Sequence, residues 1–160
     1  MLKQDDPHRC TAARLAKFGL ARRLNRIRQI PRGSIVLNPI ASLIILQRDR
    51  NVSRNTKLVA IDCSWEKVQI EFGRQIPGLS RRLPTLLAAN PTNYAKQHKL
   101  SSVEALAAAS YILGFREIAA KLLSMFKWGN TFLTLNEELL KAYSLANSEE
   151  ELSEIESQFF

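Results

Sequence analysis

One acidic residue of this chain stands where a carboxylate can do chemistry. Asp62 closes a short apolar run with β-branched members, residues 58–62, that predicts a buried strand. Open α/β sheets bind ligands beyond the carboxyl ends of their strands. A carboxylate there can accept hydrogen bonds from an amine or pair with a sulfonium charge. It can equally cap a helix that starts at Ser64 or Trp65. Trp65 offers a flat apolar wall that packs on an aliphatic chain or a cation, or fills core. Further on, Ala88-Ala89-Asn90-Pro91-Thr92-Asn93-Tyr94 sets small residues before a proline-fixed turn, which suits close approach of a ligand or simply an ordered loop. Ser101 and Glu104 have capping-box spacing. The segment 99–104 therefore puts backbone N–H groups and the Ser102 hydroxyl at a helix start, fit for polar or anionic groups or for ordinary capping.

Other chemistries lack their parts. Gly-rich phosphate loops are missing from a chain with 6 glycines. His8 and His98 are the 2 histidines, and neither has a nucleophile signature beside it. Cys10 and Cys63 lie far apart without Cys-x-x-Cys spacing, against a zinc ribbon or a disulfide framework, and Cys63 reads as a buried thiol. Asp5, Asp6, His8 and Cys10 form an unrepeated set too poor to predict a metal site. Catalysis by this chain would rest on positioning and a bound cofactor.

Charge points to a partner. The net charge is +8, and residues 1–58 hold 13 Lys or Arg against 3 Asp, a balance of +10, while residues 59–160 hold 10 against 12, a balance of −2. An asymmetry of this size implies a polyanion. The dense part comprises Arg14, Lys17, Arg22, Arg23, Arg26, Arg28 and Arg32, nearly all arginine, which suits bidentate phosphate contacts and stacking on bases. A solvated basic helix face is the alternative. A membrane surface fits less well, because Leu15, Phe18, Leu24 and Ile27 form a core-facing stripe and no lipidation motif is present.

These residues need elements to hold them. Apolar spacing predicts a helix over residues 11–29, stopped by Pro31 and Gly33. Residues 34–37 and 58–62 predict buried strands, and residues 85–88 a third strand that leaves the sheet into the Asn-Pro-Thr-Asn loop. Helices follow from residue 101 to Gly114, from 116 to 126 and from 135 to 145, with Thr134 or Asn136 near the last start. Residues 148–158, with Glu149, Glu150, Glu151, Glu154 and Glu156, predict a solvated acidic terminal helix. Phe126, Trp128 and Phe132 read as packing residues. Strands alternating with helices imply an α/β domain with a mainly parallel sheet. At 160 residues and 46% apolar, the chain fits one domain, or one with a small extension, divided near residue 57. Its longest apolar run is well short of the roughly 20 residues of a membrane span. The start carries Asp5 and Asp6 and no apolar block, so a soluble, cytoplasmic protein is expected.

Short motifs in order carry a resemblance: Asp5-Asp6-Pro7-His8-Arg9-Cys10-Thr11, Ile61-Asp62-Cys63-Ser64-Trp65, Leu83-Pro84, the Ala88–Tyr94 stretch, Lys99-Leu100-Ser101-Ser102-Val103-Glu104-Ala105 and Phe126-Lys127-Trp128-Gly129, the last ahead of Phe132-Leu133 and Leu135-Asn136. Together they resemble the small-subunit rRNA aminocarboxypropyltransferases, in their compact archaeal form. That family has a knotted fold similar to that of the SPOUT RNA methyltransferases. The resemblance implies a C-terminal trefoil knot that binds S-adenosylmethionine, and transfer of its 3-amino-3-carboxypropyl group to a uridine or (methyl)pseudouridine base nitrogen of small-subunit rRNA, with methylthioadenosine as by-product. It implies residues 1–57 as a small basic RNA-binding domain, with Arg14, Lys17, Arg22, Arg23, Arg26 and Arg28 on the RNA, and residues 58–160 as the knotted catalytic domain. Thr11, Ile61, Leu83, His98 and Ser102 match cofactor-contact positions, and Asp62 and Trp65 match positions that hold the amino-acid arm. Asp62 is also the candidate general base. The expected partner is small-subunit rRNA or a pre-ribosomal particle, with no metal, no membrane and a monomeric enzyme. His98 departs from the family's usual Tyr or Trp, and Ala12-Ala13 from its usual glycine-containing step. A SPOUT-type methyltransferase and a non-catalytic rRNA-binding assembly factor are the competing expectations.

Overall fold

The computed structural model describes residues 10–53, 57–61 and 75–160. Among these residues three parallel strands form one sheet: β1 (Ile35–Leu37), β2 (Leu58–Ala60) and β3 (Leu79–Arg81), in the order β2-β1-β3. Ile35 is level with Leu58 and Leu79, and Leu37 with Ala60 and Arg81. All three residues of β1 are buried, as expected of a central strand covered on both faces. The strands expected at residues 34–37 and 58–62 are present in shorter form, β2 part-buried rather than buried and residue 62 outside the described residues, and β3, whose Leu-Ser-Arg sequence carries no periodic signal, is an addition. The sheet draws strands from both sides of residue 57.

Seven helices occur among the described residues: α1 (Thr11–Lys17), α2 (Arg50–Ser53), α3 (Ser102–Ile112), α4 (Arg116–Ser124), α5 (Gly129–Leu135), α6 (Glu137–Leu145) and α7 (Glu149–Phe159). The fold is mixed α/β, with β2 and α1 packed against α3, and α4 and α6 also against α3. Helix α3 starts on the predicted capping box, Ser101 Oγ accepting from Glu104 N and Glu104 accepting from Ser101 N. It stops at Gly114, whose φ of 86° is the left-handed conformation in which a side chain is strained. Gly129 has a steric reason. A Cβ there would lie 2.0 Å from Leu123 O, so α5 leaves the end of α4 only through a residue without a side chain. Phe126 and Phe132 are buried and Trp128 packs against the core, in agreement with the sequence reading.

The helix expected over residues 11–29 breaks early. It ends at Lys17, Gly19 turns left-handed at φ 70°, and the chain continues irregularly to a 3-10 turn at Ile27–Gln29. Glycine at this point supplies a helix stop that an apolar-spacing argument overrides wrongly. The core-facing stripe is likewise corrected: Leu15 is fully buried, but Phe18 is exposed, and Leu24 and Ile27 are only part-buried.

The strand expected at residues 85–88 is not in the sheet. Residues 84–86 and 88–90 are buried, yet Leu87, through its bridge to Gln97, makes the segment's one strand-like pairing. Helix side chains satisfy the backbone instead. Thr85 N donates to Glu156 Oε1 (2.6 Å), and Thr85 O accepts from Tyr143 Oη (2.9 Å). Leu87 N donates to Asn136 Oδ1 (2.8 Å), and Leu87 O accepts from Asn136 Nδ2 (2.9 Å). Ala89 N and Asn90 N both donate to Glu104 Oε1, at 2.6 and 3.0 Å. A buried backbone must find partners, and here the partners come from α3, α6, α7 and the α5–α6 junction. Burial raises the Tyr143 phenol well above its ordinary range, with a smaller push from the Glu156 carboxylate.

The acidic terminal helix is corrected in the same way. α7 is not merely solvated: Leu152 is fully buried, Glu156 holds Thr85, and Glu149 Oε1 accepts from Ile44 N at 3.3 Å. Its sequence carries few apolar residues, so the docking rests on the buried Leu152, the part-buried Ile155 and two carboxylates.

Candidate functional site

Parallel strands put all their carboxyl ends on one edge of the sheet. Ile61 follows β2 directly and Leu83 follows β3 after Arg82, so these two residues, far apart in sequence, share that edge. Both are part-buried, and Leu83 packs on the core. Asn38 follows β1 between them; its Oδ1 accepts from Ile40 N at 3.0 Å, turning the chain away from the sheet. Asp62 and Trp65 come next along the chain from Ile61 and lie outside the described residues, as do Asp5, Asp6, His8 and Cys63.

The start of α3 gathers the other expected contacts. Thr11 Oγ1 accepts from Val103 N at 3.3 Å, which joins the first turn of α1 to the first turn of α3 across 92 residues. Cys10 caps α1, its Sγ accepting from Ala13 N at 3.4 Å. The N–H groups of Val103 and Glu104 are thus taken by Thr11 and Ser101, the second by ordinary capping and the first by a contact from α1. Ser102 is part-buried in the same turn, and His98, exposed at φ 56°, leads into it.

Glu104 is the residue that sequence reasoning undervalued. Fully buried, its carboxylate accepts from Ala89 N, Asn90 N, Asn90 Nδ2, Ser101 N and Ser101 Oγ, at 2.6 to 3.0 Å. Two of these bonds come from Ser101, and the one from its N–H is half of the capping box; the other three tie down a loop whose sequence gave no sign of it. Asn90 adds a bond from Nδ2 to Lys99 O at 3.2 Å, and its Oδ1 accepts from Asn93 N at 3.1 Å. Both ends of the loop over residues 90–99 are therefore fastened to the start of α3.

The basic segment leaves from this region. Arg14 lies one turn beyond Thr11, with its guanidinium carbon 5.1 Å from the Phe126 ring centre and 5.9 Å from that of Phe18. These contacts orient the side chain while it stays exposed. Lys17, Arg22, Arg23, Arg26, Arg28 and Arg32 are all exposed, on irregular backbone rather than one helix face beyond Lys17. Arg81 is different: it pairs with the buried Asp49 through two 3.2 Å contacts and serves to fix β3. Among the described residues no group of three or more His, Cys, Asp or Glu side chains is placed to hold a metal, and no helix is long and apolar enough to cross a membrane.

Known proteins agree with this geometry over nearly the whole chain. Residues 35–160 match the family model described as "Ribosome biogenesis protein, C-terminal". The chain is 45% identical over 155 residues to the 16S rRNA aminocarboxypropyltransferase of Methanopyrus kandleri, covering 96% of this chain and 92% of that protein. It is 42% identical to the protein of the same name from Methanococcoides burtonii, with 98% and 90% covered. The solved structure of the SAM-dependent rRNA:acp-transferase Tsr3 from Vulcanisaeta distributa superposes with a TM-score of 0.88 at 40% identity, covering 95% of this chain and 84% of that one.

Proposed function

The chain belongs to the 16S rRNA aminocarboxypropyltransferase family, and from that premise we propose that it transfers the 3-amino-3-carboxypropyl group of S-adenosylmethionine to a base nitrogen of small-subunit rRNA during ribosome biogenesis. The carrying observation is the 45% identity with a relative of that activity across 96% of the chain. The target is a uridine or (methyl)pseudouridine, and methylthioadenosine is released.

The residues present suit this donor. It has an adenosine end that asks for backbone and apolar contacts and an amino-acid arm that asks for a carboxylate. Ile61 and Leu83 on the carboxyl edge of the sheet, with Thr11, His98 and Ser102 at the start of α3, supply the first; Asp62 and Trp65, which follow Ile61, supply the second. Bound S-adenosylmethionine provides an electrophilic methylene carbon on a sulfonium. The protein's part is positional: it presents that carbon and buries the methyl group, so one orientation of the same donor is productive. The base nitrogen loses its N–H proton to Asp62, forms the new N–C bond as the C–S bond breaks, and the sulfur leaves as a neutral thioether.

Division of labour follows the charge. Residues 1–57 supply RNA contacts, with Arg14, Lys17, Arg22, Arg23, Arg26 and Arg28 on the phosphates, and residues 58–160, joined by Thr11, supply the donor site. The reading of a SPOUT-like trefoil knot in the C-terminal part has in its favour the buried segment 84–90, whose backbone is bonded by side chains from later in the chain. A monomeric, metal-independent enzyme acting on rRNA in the cytoplasm completes the proposal.

A transfer assay on unmodified small-subunit rRNA decides the reaction, using donor labelled differently in the carboxyl and the methyl. Carboxyl label in the RNA is the expected result. Methyl label alone would mean a methyltransferase, and neither, with tight RNA binding, an assembly factor. Trp65→Ala should weaken donor binding; normal binding by that variant would return Trp65 to a packing role.

A further inference from the structure

We propose that Tyr94 is a stacking platform for an unstacked base of the RNA substrate, on a loop that the fold holds ready before RNA arrives; the proposal rests on the rRNA reading above. The side chain is 59% exposed, whereas Tyr143 is fully buried and Tyr111 packs against the core. Among the described residues Tyr94 is the one tyrosine or tryptophan left this open to solvent. Its ring keeps apolar area in water that folding does not use.

The loop that bears it is built, not slack. Ala95 N donates to Ala88 O at 2.7 Å, Ala88 N to Lys96 O at 3.0 Å, and Lys96 N to Asn93 O at 3.0 Å. Leu87 and Gln97 form an antiparallel bridge, and Asn90 is locked to Glu104. Ala95 and His98, at φ 60° and 56°, occupy the left-handed region without being glycine. Such conformations persist only where the surroundings over-determine them, and the bonds to Ala88 and Glu104 are those surroundings. An aromatic ring on a fixed backbone loses little freedom when a base stacks on it.

The setting selects the partner. Residues 90–99 carry Lys96, His98 and Lys99 and no acidic residue. Aromatic faces among cations are the means by which proteins hold single-stranded nucleic acid, whose bases all present a π-face. Through Asn90 the loop is fastened to Glu104 at the α3 start, the turn that also holds Thr11 and so the root of the arginine segment. Phosphates on the arginines and a base on Tyr94 would thus belong to one strand entering one site.

Steady-state transfer with the full chain and an rRNA fragment tests this. Tyr94→Ala should raise KM for RNA roughly tenfold while leaving KM for S-adenosylmethionine unaltered. Tyr94→Phe should restore the RNA KM to within about twofold, since stacking uses the ring and not the hydroxyl. Tyr94→Trp should gain a fluorescence signal that a single-stranded oligonucleotide quenches, beyond any quench of the parent chain. An unchanged RNA KM in Tyr94→Ala overturns the proposal, as does a rise in the donor KM, which would put the ring in the donor pocket. Failure of the phenylalanine variant to restore binding overturns stacking. If the parent chain transfers no carboxyl label, the reaction reading has failed by itself, and the oligonucleotide quench still decides Tyr94.

Discussion

Single side chains carry much of the three-dimensional specification. Glu104 is a buried carboxylate whose oxygens are filled by donors from three residues, Ala89, Asn90 and Ser101. Glu104→Gln puts an NH2 group where an acceptor is needed, facing donors that cannot turn away. We expect a loss of about 2–3 kcal/mol, read from the midpoint of urea unfolding at unchanged m. Tyr143 gives a pH test. Its phenol is raised in the folded state by burial, so the folded protein holds that proton more tightly than the unfolded chain. The associated stability is complete below the ordinary tyrosine value of about 10 and falls as pH rises above it. Tyr143→Phe should cost about 1 kcal/mol at neutral pH through loss of the bond to Thr85 O, and should lessen the alkaline decline. An identical decline in variant and parent would assign it to other groups.

Elements here are joined by close approaches and by few anchors. The α4–α5 connection passes through Gly129, where any Cβ meets the Leu123 carbonyl. Gly129→Ala should destabilise by about 1–3 kcal/mol or more, a backbone obstacle having little room to relax; a thermal melt near the parent's would show that α5 can shift. Helix α7 depends on Leu152, its one buried residue, with Glu149 and Glu156 bonded to Ile44 N and Thr85 N. Leu152→Ala should cost about 2–5 kcal/mol. It should also speed hydrogen exchange at Thr85 N relative to amides of β1, because undocking α7 uncovers that donor first.

At the scale of the whole molecule, charge is unevenly divided along the chain, with a balance of +10 over residues 1–58 and −2 over residues 59–160. Helix α1, which carries Arg14 and Lys17, packs against α3 and is bonded to its first turn through Thr11, so the start of the arginine segment is anchored to the helix against which β2 packs. The triple variant Arg22→Ala, Arg23→Ala, Arg26→Ala should weaken rRNA binding, flatten the slope of log K against log salt by about 2, and leave S-adenosylmethionine affinity alone. RNA affinity equal to the parent's would remove this segment from the interface. Much of the molecule was legible in one dimension because its signals are local. The motif order from Asp5 to Asn136 pointed to the family, the uneven charge pointed to a polyanion, and the Ser101–Glu104 spacing located the start of α3. The β-branched runs at residues 34–37 and 58–62 located two strands, which the structure has at Ile35–Leu37 and Leu58–Ala60. What stayed hidden is non-local. Residues 85–88 and a central strand have the same apolar composition, and only the folded chain decides whether neighbouring strands or the side chains of Glu104, Asn136, Tyr143 and Glu156 satisfy that backbone. The terminal helix likewise looked solvated because its five glutamates are visible in sequence, whereas the buried donors waiting for two of them are not. Local propensity sets which elements can form, but the pairing of buried polar groups is settled only when distant segments meet, and that is what tertiary structure decided here.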